Sequence, residues 1–187
     1  MAYIKSIPYE EATGELKEVY DNVTQKRGKL AEVYKIQGLN PASIVNHMDL
    51  YMTLMFGKSP LIRYQRELIA VVVSAANNCE YCQIHHGIAL NHFWDDQKKI
   101  QQLSEDFSKS GLSEVDRLLC KYAHDLTVSP TGIKEDTHIK PLKAAGLDDR
   151  AILDAALIIS YFNFVNRMIL GLGVNLEEDG GVGYKYE

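Results

Sequence analysis

The amino-acid sequence predicts an all-α fold, a compact bundle of helices, from three observations. Apolar residues recur at helical spacing along most of the chain, and the first such set comprises Leu16, Val19, Tyr20 and Val23. Glycine, proline or a capping polar residue separates one such stretch from the next. The run 71–73 would also suit a buried strand, but the length of the stretch around it favours a helix.

The expected helices follow one another with short connections. After an extended arm over residues 1–9, they occupy residues 10–25, 30–37, 42–56, 61–76, 79–93, 97–109, 114–128, 133–145, 151–161 and 163–170. Capping or proline residues begin several of them: Asn40 with Pro41, Ser59 with Pro60, Asn77 with Asn78, and Ser113. Glycine ends others, at Gly28, Gly38, Gly111, Gly146 and Gly171.

Two segments of the chain resemble each other. Arg66–Leu90 and Arg150–Val174 each have a polar start, an apolar run and then a small polar motif. This similarity suggests two related helical halves, the second of which would keep a helical hairpin without the cysteines. The aligned positions are Ala151 opposite Glu67, Asn163 opposite Cys79, and Asn166 opposite Cys82.

Length and composition limit the possible classes of protein. The chain has 187 residues, of which 46% are hydrophobic, so we expect one domain over residues 1–187 with a flexible or partner-docked tail over about 177–187. A net charge of −5 argues against nucleic acid or an anionic membrane as a partner. We expect no membrane-spanning run and no signal peptide. Three cysteines without a secretion signal then predict a cytoplasmic protein.

The residues with chemical potential are concentrated between Arg66 and His86. An apolar run separates Glu67 from Cys79, and Cys82 and His86 follow at helical spacing. If a helix begins near Cys79, Cys82 and His86 lie one turn apart on the same face. The cysteines are then close enough for a disulfide, and the amino-terminal end of the helix favours a thiolate, most directly at Cys79.

Other readings of these residues remain open. Both cysteines could be small buried packing residues. Zinc could bind to four soft ligands, Cys79, Cys82, His85 and His86, although structural zinc sites usually join ligand pairs from separate segments. The late set Tyr161, Asn163, Asn166 and Arg167 could line a pocket, but caps and hydrogen bonds of a buried turn are the favoured interpretation. Cys120 is expected to be a buried packing residue, and His47 belongs to no motif.

The spacing of Glu67, Cys79, Cys82 and His86 is E-x11-C-x2-C-x3-H. It resembles the signature of alkylhydroperoxidase D (AhpD)-like proteins in the carboxymuconolactone decarboxylase superfamily. The opening I-P-Y-E-E-A-T-G-E-L-K-E-V-Y and the late Y-F-N-F-V-N-R-M-I are similar to the peroxidase-related branch of that family. Tyr81 departs from the pattern, because the best-known peroxidatic members have a histidine between the cysteines.

The resemblance implies a thiol-dependent peroxidase that reduces hydroperoxides without cofactor or metal. Glu67 and His86 would accept the proton of Cys82, whose thiolate attacks the peroxide, and burial is expected to raise the pKa of Glu67. Cys79 would then form the disulfide, which an external dithiol reduces. The resemblance also implies a homo-oligomer, a trimer or hexamer. Two alternatives are a decarboxylase-like enzyme acting on a lactone or small organic acid and a non-enzymatic redox sensor.

Overall fold

The computed structural model describes residues 2–184 and confirms the all-α expectation over that range. Its α-helices are α1 (Gly14–Arg27), α2 (Glu32–Lys35), α3 (Pro41–Phe56), α4 (Arg63–Ala76), α5 (Glu80–Trp94), α6 (Gln97–Asp106), α7 (Glu114–Val128), α8 (Lys140–Ala144) and α9 (Asp149–Leu172). Short 3-10 turns occupy Tyr9–Glu11, Phe107–Lys109 and Pro130–Gly132, and a π-helical turn, Glu135–Ile139, precedes α8.

Helix α4 is the centre of the bundle. It packs against α5, α7 and α9, and its apolar run 68–73 is almost completely buried. Burying each of the larger aliphatic side chains contributes on the order of 1.5–3 kcal/mol, which anchors α4 in the core. The run therefore holds Glu67, the residue just before it, inside the protein.

The turn between α4 and α5 fixes where the cysteine helix begins. Asn78 adopts a left-handed conformation, φ 55°, which asparagine tolerates better than most residues. The N–H of Cys79 then donates to the carbonyl of Ser74 at 2.8 Å. The side-chain amide of Asn77 donates to Oδ1 of Asn163 at 3.1 Å and to Oδ1 of Asn166 at 3.0 Å. Helix α9 thus fastens the turn in place.

Helix α9 corrects two sequence-based expectations. It runs without a break where two helices were predicted, so the second copy of the suspected repeat is not a hairpin. Asn163 lies inside the helix, and its Nδ2 donates to the Ile159 carbonyl at 3.0 Å, so it neither caps nor breaks the helix. In the first segment, by contrast, the left-handed Asn78 separates two helices.

Contrary to expectation, α9 is also long and apolar enough to cross a membrane by length and composition alone. In the fold, 44% of that stretch is buried, and it packs against α3, α4 and α7. Its buried face includes two polar residues, Asp154 and Asn166. This arrangement fits a core helix of a helical bundle.

The two ends of the described chain meet beside α9. Gly173 ends α9 in a left-handed conformation, φ 62°, and the N–H of Tyr3 donates to the Leu172 carbonyl at 2.8 Å. The Tyr3 ring lies so close that a Cβ on Gly173 would come within 2.7 Å of it. Residues 177–184, named here the C-terminal segment, then fold back onto α2 and α5. Residues 185–187 of the predicted tail lie outside the described residues.

Candidate active site

Glu67 is the most deeply buried acidic group of the site, with no solvent exposure. Its Oε2 lies 2.6 Å from Nδ1 of His86, across the α4–α5 hairpin. Its Oε1 lies 2.5 Å from Nη1 of Arg63, an ion pair without the angles of a hydrogen bond. The Arg63 guanidinium stacks on Phe56 at 4.3 Å from the ring centre. The carboxylate therefore joins an imidazole and a guanidinium that the same hairpin brings together.

The charge state of Glu67 differs from the sequence-based expectation. Burial acts to raise its pKa, but the His86 and Arg63 charges and their contacts outweigh burial, so the pKa lies below its ordinary value. Glu67 is therefore ionised at neutral pH and can only accept hydrogen bonds. It follows that Nδ1 of His86 carries the proton that it donates to Glu67, so Nε2 is the ring nitrogen that this contact leaves available.

The two cysteines are reduced and buried. Cys79 is the N-cap residue of α5, and Cys82 lies in its first turn. A hydrogen bond from the Cys82 thiol holds the pKa of Cys79 below its ordinary value, in spite of burial. The same hydrogen bond, together with burial, raises the pKa of Cys82. A hydrogen bond from Asn166 of α9 acts to lower the pKa of both thiols, so α9 contributes to their ionisation.

Cys82 and His86 border a cavity of about 80 Å³. Its walls are mainly aromatic and aliphatic side chains from α2, α3, α5, α9 and the C-terminal segment: Val33, Tyr34, Tyr51, Tyr81, Tyr161, Phe162, Val165 and Tyr184. The His86 ring meets Phe162 edge to face at 4.5 Å. Cys79 instead borders a separate cleft of about 450 Å³, between the start of α5 and the end of α9. The two thiols therefore face different approaches from solvent.

Comparison with known proteins agrees with this architecture. Residues 46–104, which carry Glu67 and the whole α4–α5 hairpin, match the Carboxymuconolactone decarboxylase family. Over this hairpin the chain is therefore similar to that family, and its all-α fold is AhpD-like. No curated protein matches the sequence. The matched stretch contains both cysteines and His86.

Solved structures extend the likeness of this AhpD-like chain to its full length. A peroxidase-related protein from Silicibacter sp. TM1040 is 25% identical, with a TM-score of 0.86 over 100% of this chain and 96% of that one. A peroxidase-related protein from Ralstonia eutropha JMP134, described as an alkylhydroperoxidase AhpD core, is 21% identical, with a TM-score of 0.86 over 96% and 94%. The debrominase Bmp8, in complex with 2,3,4-tribromopyrrole, is 21% identical, with a TM-score of 0.77 over 94% and 91%.

The AhpD-like hairpin brings together Glu67, His86 and the two cysteines, but it separates His85 from them. Nε2 of His85 lies 2.8 Å from Oε2 of Glu177 in the C-terminal segment. Within residues 2–184, no three His, Cys, Asp or Glu side chains are placed to share a metal ion. The four residues considered for zinc therefore do not form a zinc site here.

Tyr81, which stands between the cysteines where the resembled motif has a histidine, also contacts the C-terminal segment. Its hydroxyl donates to Oε1 of Glu177 at 2.8 Å, and burial raises its pKa well above the ordinary value. The same oxygen accepts from the N–H of Glu32 at 2.9 Å and from the hydroxyl of Tyr184 at 3.0 Å. Glu177 therefore anchors the C-terminal segment over α5, where Tyr184 closes one side of the cavity.

The late polar set divides between two roles. Asn163 and Asn166 hold the α4–α5 turn, as the favoured interpretation proposed, and Arg167 donates to Oδ1 of Asn163 on its own helix. Tyr161 instead borders the cavity. Cys120 is completely buried among apolar residues of the core, and burial raises its pKa, as expected of a packing residue.

A buried relay that sequence reasoning missed ends at Tyr161. Nε2 of Gln37 lies 2.6 Å from the Val33 carbonyl and must donate to it, which fixes the orientation of the amide. The same nitrogen lies 2.8 Å from Nδ1 of His47, which must therefore accept. The proton of His47 is thus on Nε2, 2.6 Å from the hydroxyl of Tyr161. Because that hydroxyl accepts from His47, its own proton is free to be donated towards the cavity.

Burial keeps this relay neutral. It lowers the pKa of His47 to about 4, so the ring is uncharged near neutral pH. Burial also raises the pKa of Tyr161 well above the ordinary value. Cys82 raises this pKa further, and Arg27 acts to lower it. Tyr161 is therefore a protonated phenol, and it lines the same cavity as Cys82 and Arg27. The relay residues Gln37 and His47 lie far from Tyr161 in the sequence, so no local motif predicts the relay.

Proposed function

We propose that this AhpD-like protein is a thiol-dependent peroxidase that reduces organic hydroperoxides through a Cys79–Cys82 dithiol cycle. The observation that carries the proposal is that His86, held by Glu67 through Nδ1, borders the same cavity as Cys82. The ionised Glu67 orients this imidazole through its other nitrogen, as the carboxylate does in other nucleophile–base–carboxylate sites. The nearby Phe162 and Val165 make the cavity suited to an organic rather than an inorganic peroxide.

In the first step His86 accepts the thiol proton, and the Cys82 thiolate attacks the nearer peroxide oxygen. The O–O bond breaks, a sulfur–oxygen bond forms, and the products are a sulfenic acid and an alkoxide. The hydroxyl of Tyr161 donates to the departing alkoxide, which leaves as the alcohol, and the proton held by His86 restores the phenol. Proton transfer by a positioned group contributes about 10²- to 10⁴-fold to a rate.

In the second step the Cys79 sulfur attacks the sulfenic sulfur, the S–O bond breaks, and the displaced hydroxide leaves as water with the proton of the Cys79 thiol. The product is the Cys79–Cys82 disulfide. An external dithiol then reduces this disulfide by thiol–disulfide exchange. Cys79 borders the larger cleft, which is separate from the peroxide cavity. We therefore place the approach of the reductant on that side. In this scheme the oxidant and the reductant use separate entrances.

The order of the two cysteines follows from access rather than from acidity. Lowering of the pKa makes Cys79 the more acidic thiol, but Cys82 is the one that borders the cavity with His86. The hydrogen bond between the thiols allows the Cys79 thiolate to share the Cys82 proton until His86 removes it. Cys82 is thus the attacking residue of the proposal, and Cys79 the resolving one.

Intact mass spectrometry tests the proposal. The reduced protein, prepared without added metal, is treated with a small excess of cumene hydroperoxide alongside Cys79→Ser, Cys82→Ser and the packing-residue control Cys120→Ser. The proposal predicts the loss of two hydrogens in the parent and in Cys120→Ser, and a sulfenic acid trapped by dimedone in Cys79→Ser. A sulfenic acid in Cys82→Ser instead would reverse the order of attack. No oxidation of the parent would reject the peroxidase.

The same dithiol supports a second candidate, the reductive dehalogenation of an aromatic compound. The fold likeness to a debrominase and the aromatic walls of the cavity favour it. An aryl bromide and the two thiols would give the dehalogenated arene, the disulfide, bromide and a proton. Bromide release from tribromopyrrole that depends on Cys82 identifies this activity. Turnover of a lactone after both thiols are alkylated would instead indicate a decarboxylase-like enzyme, and stoichiometric oxidation without turnover a redox sensor.

A further inference from the structure

Three arginines of the bundle, of which Arg27 and Arg66 are buried and Arg63 is partly buried, differ in how their charge is satisfied. Arg66 donates to three backbone carbonyls, those of Leu61, Leu54 and Gly57. Arg63 is paired with Glu67. Arg27, at the end of α1, is only 6% exposed, yet within residues 2–184 no carboxylate lies within 4 Å of its guanidinium.

The contacts that Arg27 does make are weak for a buried cation. Its Nη2 donates to the hydroxyl of Tyr51 at 3.3 Å, and the guanidinium lies 5.1 Å from the Tyr51 ring and 4.8 Å from the Phe56 ring. Cation–π contacts of this kind contribute roughly 0.5–2 kcal/mol, and they supply no counter-charge. A buried cation of this kind is costly unless an anion pairs with it.

Arg27 borders the same cavity as Cys82 and His86. Tyr161 lines this cavity together with them. The cavity is therefore lined by a cation, a nucleophilic sulfur and several aromatic side chains. A guanidinium binds a carboxylate through two parallel hydrogen bonds, and an arginine placed beside aromatic rings is well suited to an aromatic carboxylate.

We propose that Arg27 forms an anion subsite, so that the substrate is a small aromatic or aliphatic molecule with a carboxylate at the end away from its reacting atom. The proposal rests on the proposed function for the reaction but not for the binding. A carboxylate held at Arg27 would orient the molecule with its opposite end towards Cys82. A charged hydrogen-bonded pair of this kind is expected to favour the carboxylate by about 10- to 100-fold over an uncharged analogue.

Calorimetric titration of the reduced protein with 4-isopropylbenzoate and with the uncharged 4-isopropylbenzamide tests the subsite. We expect the parent to bind the carboxylate at least tenfold more tightly than the amide. Arg27→Met should remove this preference, Arg27→Lys should keep part of it, and Arg117→Met, which removes an exposed arginine, should leave it unchanged. Equal affinity of the parent for the two compounds would overturn the proposal even if Arg27→Met does not fold.

Turnover provides a second measurement that separates this inference from the peroxidase proposal. Cumene hydroperoxide and its para-carboxylate differ only in the group expected to meet Arg27. We expect a lower KM for the carboxylate in the parent, and Arg27→Met should raise that KM towards the value for cumene hydroperoxide. Carboxylate-selective binding without any peroxide reaction would reject the peroxidase and keep the subsite. Peroxide reduction without a preference for the carboxylate in binding or in KM would support the peroxidase and reject the subsite.

Discussion

Replacing Glu67 with glutamine separates the structural role of the site from its chemical role. The substitution keeps the shape of the side chain but removes a charge that is fully buried between His86 and Arg63. Loss of one partner of a buried ion pair costs about 3–5 kcal/mol. The Arg63 side chain is 18% exposed and stacks on Phe56, so its charge is partly stabilised without Glu67. We therefore expect the free energy of unfolding to fall by about 3 kcal/mol, near the lower end of this range.

Thermal and urea unfolding measure this loss. For a chain of this size, about 3 kcal/mol corresponds to a Tm roughly 6–12 °C lower. The pKa of Glu67 is lowered in the fold, so its stabilising effect is present above its ordinary pKa of 4.5 and is lost as the pH falls further. The gap in stability between the parent and Glu67→Gln should therefore close below pH 4.5. Glu80→Gln, an exposed substitution at the start of α5, is the matched control.

A double variant tests whether the stability lost in Glu67→Gln comes from leaving the Arg63 charge unpaired. Arg63→Met combined with Glu67→Gln removes both charges and should recover part of the lost stability. It should not recover the reaction of Cys82 with hydroperoxide, which we expect to fall by about 10²-fold or more because His86 loses its orienting carboxylate. Full stability and reactivity in Glu67→Gln would refute the role assigned to the pair. So would a double variant that is less stable than the single one.

Further perturbations test neighbouring features. Burial lowers the pKa of His47 to about 4, so on acidification the unfolded chain binds a proton at this position before the folded chain does. Between pH 6.5 and 4 the free energy of unfolding should therefore fall by up to about 3 kcal/mol, and His47→Gln should not show this fall. Tyr161→Phe should slow peroxide reduction by about 10²-fold but leave alkylation of Cys82 unchanged, since alkylation releases no alkoxide. Gly173→Ala should lose about 1–2 kcal/mol in urea unfolding, because its backbone is left-handed and Tyr3 occupies the space. Gly171→Ala, at an open helical position, should instead gain about 0.5–1 kcal/mol.

The parts of the site that the sequence predicted belong to one local hairpin. Glu67, Cys79 and His86 lie on consecutive helices, so their spacing and the capping asparagines were enough to bring them together. The lowered pKa of Glu67 was also within reach of the sequence, because Arg63 precedes it by one helical turn. The expectation of a raised pKa counted burial and left out this neighbour.

The remaining parts depend on packing between distant helices. Arg27 ends α1, His47 lies on α3 and Tyr161 on α9, so their meeting is a result of the bundle rather than of any local pattern. The break predicted within α9 was wrong for a related reason. Asn163 can end a helix when it faces solvent, but here the turn between α4 and α5 binds its side chain while the helix continues.

The C-terminal segment imposes an order on the assembly of the site during synthesis. Tyr161 and Asn166 leave the ribosome long after the cysteines, and Tyr184 leaves later still. A nascent chain that has reached only the end of α5 therefore carries two thiols without the surroundings that adjust their acidity and shield them. The growing chain completes these surroundings only after Glu177 and Tyr184 have been synthesised and can contact α5 and each other.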